Sequence, residues 1–160
     1  MNDEIKGYLK AEAAVSSAFG FFINGMIAAL EYRKADFVPT NIVSIAIDLT
    51  ATCLLMFAIT TPFCKSSLKR TKTIGILPAG GRVVRAANRL YRRPVRFVII
   101  MALLFAVVFY IPTALIFLLI GAHEISFWIY LVLKCLFCAA LCGFITVMEL
   151  YIGMCKTEAK

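Results

Sequence analysis

Residues Phe97–Ile120 read FVIIMALLFAVVFYIPTALIFLLI, an uninterrupted apolar run with no charged side chain. About 20 helical residues, rising about 1.5 Å each, cross the hydrocarbon core of a bilayer. A helix satisfies its own backbone hydrogen bonds, so this run predicts a transmembrane helix rather than a soluble core element. Three further stretches of similar length lie around it: Ala11–Leu30, Ile42–Phe63 and Ile125–Met148. The expected fold is all-α: one membrane domain over residues 1–160 with four transmembrane helices. The first stretch is the most polar, holding Glu12, Ser16, Ser17, Gly20 and Asn24. Its leader mixes Asp3 and Glu4 with Lys6 and Lys10, and no small-x-small site follows. It therefore reads as a retained span and not as a cleaved signal.

Composition agrees. Hydrophobic residues make up 62% of the chain and mean hydropathy is +0.89, against roughly 45–50% apolar residues in an ordinary soluble domain. The net charge of +8 suggests nucleic acid until it is located. Lys65, Lys69, Arg70, Lys72, Arg82, Arg85, Arg89, Arg92, Arg93 and Arg96 all fall between Pro62 and Arg96, with no Asp or Glu among them. Basic loops stay on the cytoplasmic side. The central loop (64–96) is thus expected in the cytoplasm with both termini, and the connections holding Asp36 and His123 outside. A basic loop anchored by spans at both ends argues against nucleic acid. The expected partners are the bilayer, its anionic headgroups and further copies or subunits in a larger membrane complex.

Within that loop, Arg82, Arg85, Arg89 and Arg92 share one face of a predicted helix over 82–93. Val83, Val84, Ala87, Leu90 and Tyr91 fill much of the rest, Gly80–Gly81 breaks the chain before it, and Pro94 suits the first turn of the next span. The pattern predicts contact with anionic lipid.

The six cysteines are Cys53, Cys64, Cys135, Cys138, Cys142 and Cys155. None lies in an outer connection, so no exported disulfide framework is implied. Cys135 and Cys138 form a C-x-x-C, but Cys135 is about 15 Å down the fourth helix, where apolar surroundings keep a thiol inert. No metal constellation, nucleophile–base pair or cofactor motif emerges.

Ionisable side chains within spans are functional candidates, because burying charge in hydrocarbon is expensive. Asp48 lies about 9 Å and Lys134 about 13 Å from the outer ends of their helices, and a lysine stem reaches upward. Asn24 and Thr113 fall at about 9–10 Å. One layer of the outer half-membrane is thus expected to contain Asn24, Asp48, Thr113 and Lys134, bordered by Thr52 and Tyr130. Glu12 and Glu149 fall at the inner span ends, where water and headgroups are expected to solvate them.

A shift of 82 residues lays the fourth span over the second, matching Ser44, Ile47, Leu49, Cys53, Leu54 and Ala58 to Ser126, Ile129, Leu131, Cys135, Leu136 and Ala140. That suggests two tandem helical hairpins. Through Phe22–Ile23–Asn24, Ile47–Asp48–Leu49, Gly75–Pro78 and Phe127–Trp128 ahead of Lys134, the chain resembles uncharacterised bacterial four-span inner-membrane proteins. The resemblance implies no activity. The Trp–Asn and Phe–Glu signatures of four-span antimicrobial efflux proteins are absent. The leading expectation is a small non-enzymatic transporter or permease using Asp48 and Lys134. A scaffold or partner-binding subunit with a structural Asp–Lys pair is the alternative, and a quinone-linked thiol oxidoreductase using Cys135 and Cys138 the third.

Overall fold

In a computed structural model, residues 3–32, 35–70, 81–121 and 124–155 are described. The basic stretch 71–80, with Lys72 and Gly75–Pro78, lies outside them, as do His123 and both chain ends. The described residues form helix α1 (Asp3–Glu31), strand β1 (Phe37–Pro39), α2 (Ile42–Arg70), α3 (Arg82–Tyr91), α4 (Pro94–Ile120), strand β2 (Glu124–Ser126) and α5 (Phe127–Met154). Four of these helices, α1, α2, α4 and α5, are long and apolar enough to cross a membrane.

Local chemistry sets the boundaries. Asn41 caps α2, its Oδ1 accepting from the Ser44 backbone N–H at 2.8 Å. Pro94 sits in the first turn of α4, where its missing N–H removes no helix bond. Gly121 ends α4 with φ of 66°, the left-handed conformation that suits glycine. All four spanning helices outrun their apolar stretches, α4 by beginning at Pro94. α1 begins eight residues before Ala11, because Ile5 and Leu9 pack with Cys64, Leu150 and Met154. α2 continues through Pro62 to Arg70, and α5 runs on to Met154.

Ile125 and Ser126, expected within the fourth span, instead belong to β2. It pairs antiparallel with β1: Phe37 opposes Ser126, Val38 opposes Ile125 and Pro39 opposes Glu124. This ribbon ties together the two interhelical connections at one end of the bundle, and the Phe127 N–H extends it by donating to Asp36 O at 3.0 Å. Strands of three residues are too short to show an alternating pattern.

The hairpins α1–β1–α2 and α4–β2–α5 interlock. α1 packs mainly on α5, α4 on α2, and α2 and α5 meet at the centre. Contacts across that central seam join Lys134 to Asp48 and Cys142 to Met56, each pair 86 positions apart. The interval of 82 read from residue identities is therefore about one helical turn short of the one at which α2 and α5 face each other.

α1 and α5 approach closely because glycine lines their contact. A Cβ on Gly20 would lie 2.7 Å from Cys142 Sγ and 2.9 Å from Cys138 O, and one on Gly25 would lie 2.9 Å from Cys135 Sγ. At the other face of the bundle an aromatic cluster forms where α2, α3 and α4 meet. Phe57 packs edge-on against Phe105 at 5.2 Å, and Tyr91 against Phe97 at 5.0 Å. α4 is otherwise peripheral, with only Phe97, Ala102 and Ala106 buried. Its remaining surface is apolar and exposed, including Leu103, Leu104, Val107, Val108 and Ile111.

Candidate functional site

The i, i+4 spacing of small and polar residues places three matching rows on three helices. α1 contributes Glu12, Ser16, Gly20, Asn24 and Ala28; α2 contributes Asp48, Thr52, Met56, Thr60 and Cys64; α5 contributes Lys134, Cys138, Cys142 and Thr146. All but Glu12, Asp48 and Lys134 are buried. Rows of this kind let helices approach closely and hydrogen-bond across the seam.

Towards the ribbon end, Lys134 Nζ donates to Asp48 Oδ1. Their side chains are 10% and 25% exposed respectively. Thr52 donates to the Asp48 backbone carbonyl at 2.6 Å. On one side of the pair a cavity of about 260 Å³ is lined by Asp48, Thr113, Tyr130 and Lys134, with Ser44 and Tyr32 at its border. On the other side a smaller cavity of about 80 Å³ is lined by Asn24, Thr52, Asp48, Lys134 and Glu31. Both members of the ion pair line both cavities. The structure thus gathers all six expected residues around the pair, in two groups rather than one ring: Thr113 and Tyr130 face one cavity, Asn24 and Thr52 the other.

One neighbour had no signal in the sequence. Tyr32 follows α1 and packs edge-on against Tyr130 with ring centroids 5.2 Å apart. Burial, with smaller contributions from the charges of Glu31 and Asp48, raises the Tyr32 pKa above its ordinary value, so it stays a neutral donor. Lys134 Nζ lies 5.6 Å from the Tyr130 ring centroid, a cation–π distance. The Tyr130 hydroxyl is buried without a hydrogen-bond partner.

Asn24 is 2% exposed and spends its amide on Gly20 O at 3.0 Å and Met56 Sδ at 3.4 Å. It therefore ties α1 to α2 while bordering the smaller cavity. All six cysteines are free thiols and buried. The Cys142 and Cys135 side chains occupy the space opened by Gly20 and Gly25 respectively, a packing role.

Towards the other end a second polar cluster departs from expectation. Glu149 is 0% exposed, not solvated at a span end. Its Oε1 accepts from the Thr61 hydroxyl at 2.8 Å, and its Oε2 has no partner. The extension of α1 and α5 and the packing of α3 across this end remove it from solvent. Glu12 is half-buried and accepts from Ser67 at 2.6 Å, with Tyr8 and Ser67 hydroxyls 2.6 Å apart. Thr146 donates to Ser16 at 2.6 Å. The row on α5 was the available signal, since Lys134, Cys138, Cys142 and Thr146 lead towards Glu149 without a large apolar side chain.

Asn88 and Tyr91 help hold α3 to this end, alongside apolar contacts of Val84, Ala87 and Leu90. Asn88 donates to Ile152 O at 2.7 Å and to Cys155 O at 3.2 Å, satisfying carbonyls at the end of α5. Tyr91 is buried, with Lys65 Nζ 5.0 Å from its ring centroid. Arg82, Arg85, Arg89 and Arg92 are exposed, and Val83 beside them is 82% exposed.

Among the described residues no group of His, Cys, Asp and Glu could hold a metal ion. Compared with family models, curated proteins and solved structures, the chain matches none. The class is therefore defined by architecture alone: an all-α bundle with four helices of membrane-spanning length and a charged pair in its interior.

Proposed function

We propose that the chain is a small transporter or permease of the bacterial cytoplasmic membrane, working at the Asp48–Lys134 pair. The observation that carries this reading is that both members of the pair line both cavities. A solute or proton that competes with Lys134 for Asp48 would break the pair and open one cavity towards the other. Asp48 supplies the anionic ligand and Lys134 the displaceable counter-charge, while Asn24, Thr52, Thr113 and Tyr130 offer neutral donors and acceptors. In this reading the ribbon end faces outward, and α3 lies at the cytoplasmic face with both termini. Its four arginines then meet anionic headgroups while Val83 dips among the acyl chains. The exposed α4 surface suits lipid or a second copy, and the transport path is proposed to form in an oligomer.

The second reading, a scaffold subunit whose Asp48–Lys134 pair is interior glue, draws on the pair's position between α2 and α5, the two central helices. Water access separates the two. In a background lacking the native cysteines, Thr113→Cys in sealed vesicles is exposed to a membrane-impermeant maleimide. Labelling from the ribbon side supports the transport reading. Protection equal to that of a buried control position, such as Ala106→Cys, favours the scaffold.

A further inference from the structure

The transport reading uses one end of the seam, yet a fully buried carboxyl lies towards the other. Glu149 is fully enclosed, with one oxygen held by Thr61 and the other unpartnered. Among the described residues, no basic side chain lies within ion-pair distance of it. A carboxylate sealed from water without an ion-pair partner is costly to bury, and such a group survives by binding a cation, the smallest being a proton. A second enclosed polar atom lies on the same end of the bundle. Tyr91 is 6% exposed, its hydroxyl has no partner, and its ring lies against α5 beside Gly153, one turn from Glu149. Thr61, Cys64 and Lys65 of α2 and Tyr91 of α3 face the carboxyl, with Glu12 of α1 near Cys64.

We infer that Glu149 is a proton-binding site, with Thr61 as its fixed donor and Tyr91 of α3 as the cover that closes it from the water beyond. The step is a simple exchange: the O–H bond at Oε2 breaks, the proton passes to water entering beneath α3, and the carboxylate left behind draws the Lys65 ammonium and the Tyr91 hydroxyl as its new partners. Uptake reverses it. The seam from Thr146 through Cys142 and Cys138 leads from this site towards Lys134. Only the use of the proton as coupling ion rests on the transport reading; the site itself does not.

Infrared spectroscopy of the full chain in lipid discs tests this. Spectra across a pH titration should contain the carbonyl stretch of a protonated carboxylic acid, and it should weaken as pH rises. Labelling with isotope-substituted glutamate should displace it, and labelling with isotope-substituted aspartate should not. Glu149→Gln should abolish the band, Asp48→Asn should leave it, and Tyr91→Phe should speed its exchange with deuterated water. If Glu149→Gln does not fold, the labelled wild type and Glu149→Asp, which should move the band's titration midpoint, decide the matter. A band unaffected by glutamate labelling overturns the proposal, as does one that responds to sodium concentration at fixed pH. Failure of the Asp48 reading would leave the glutamate band in place, so the two can fail separately.

Discussion

Cys142 and Met56 meet with their sulfur atoms 3.0 Å apart, at the same 86-residue interval that separates Lys134 from Asp48. Two helical turns below the ion pair, α2 and α5 still face each other in register. Met56 also accepts from Asn24, so one sulfur joins α1, α2 and α5.

Met56→Leu keeps the volume and removes the acceptor. One Asn24 N–H is then buried without a partner, which typically costs about 1–3 kcal/mol. Thermal unfolding in detergent should fall accordingly, and Met56→Leu combined with Asn24→Leu should recover part of the loss. Equal stability of Met56→Leu and wild type would remove Met56 from this role.

Gly20→Ala should separate α1 from α5. The added methyl meets Cys142 Sγ and Cβ at 2.7 and 2.8 Å and a backbone carbonyl at 2.9 Å, a clash worth about 1–3 kcal/mol. Cys142→Ala cannot relieve it, because the Cβ and carbonyl contacts remain. Gly7→Ala is the contrast: nothing lies within 4 Å there, so it should be neutral or stabilising by up to about 1 kcal/mol. Equal effects at the two positions would contradict the packing described.

The sequence makes the helices plain and the layer around Asp48 accessible, because apolar length and charge spacing are local properties. Asn24, Thr52, Thr113 and Tyr130 could be placed near the pair by rise per residue alone. Which of two cavities each would line could not, since that depends on how the hairpins interlock. Glu149 was misplaced for a related reason. The apolar run stops near it, but the helices do not, and only the docking of α3 and the start of α1 reveal that the carboxyl is enclosed. The ribbon of β1 and β2 left no signal, because three residues per strand carry no periodicity and their pairing spans most of the chain.

Asn88→Asp should loosen α3 more than Asn88→Ala. The aspartate replaces an amide donor with negative charge against the Ile152 and Cys155 carbonyls, whereas alanine only leaves them unmet. Amide hydrogen exchange along Arg82–Tyr91 should quicken in the order wild type, alanine, aspartate. Exchange unchanged in both variants would show that the Asn88 hydrogen bonds do not hold the helix.

The orientation proposed for the chain predicts that reporters fused after Lys160 or inserted near Gly80 read cytoplasmic, and one near Asp36 external. Replacing Arg82, Arg85, Arg89 and Arg92 together by Gln should weaken association with anionic lipid, each charge contributing about 1 kcal/mol. An external reading at Gly80 would reverse the topology. Indifference of the purified four-fold variant to lipid charge, matched by equal indifference of the wild type, would remove the lipid contact.

The ion pair itself gives the most direct test, through a thermal-stability cycle in detergent on Asp48→Asn, Lys134→Met and the double variant. Removing one member of a buried pair strands the other and typically costs about 3–5 kcal/mol, with partial exposure of Asp48 and the reach of the lysine stem softening the loss. The account predicts that each single variant unfolds at lower temperature than wild type, and that the double variant recovers most of what either single loses. Losses that simply add, with the double variant the least stable of the three, would show that Asp48 and Lys134 do not hold each other, and the site would have no centre.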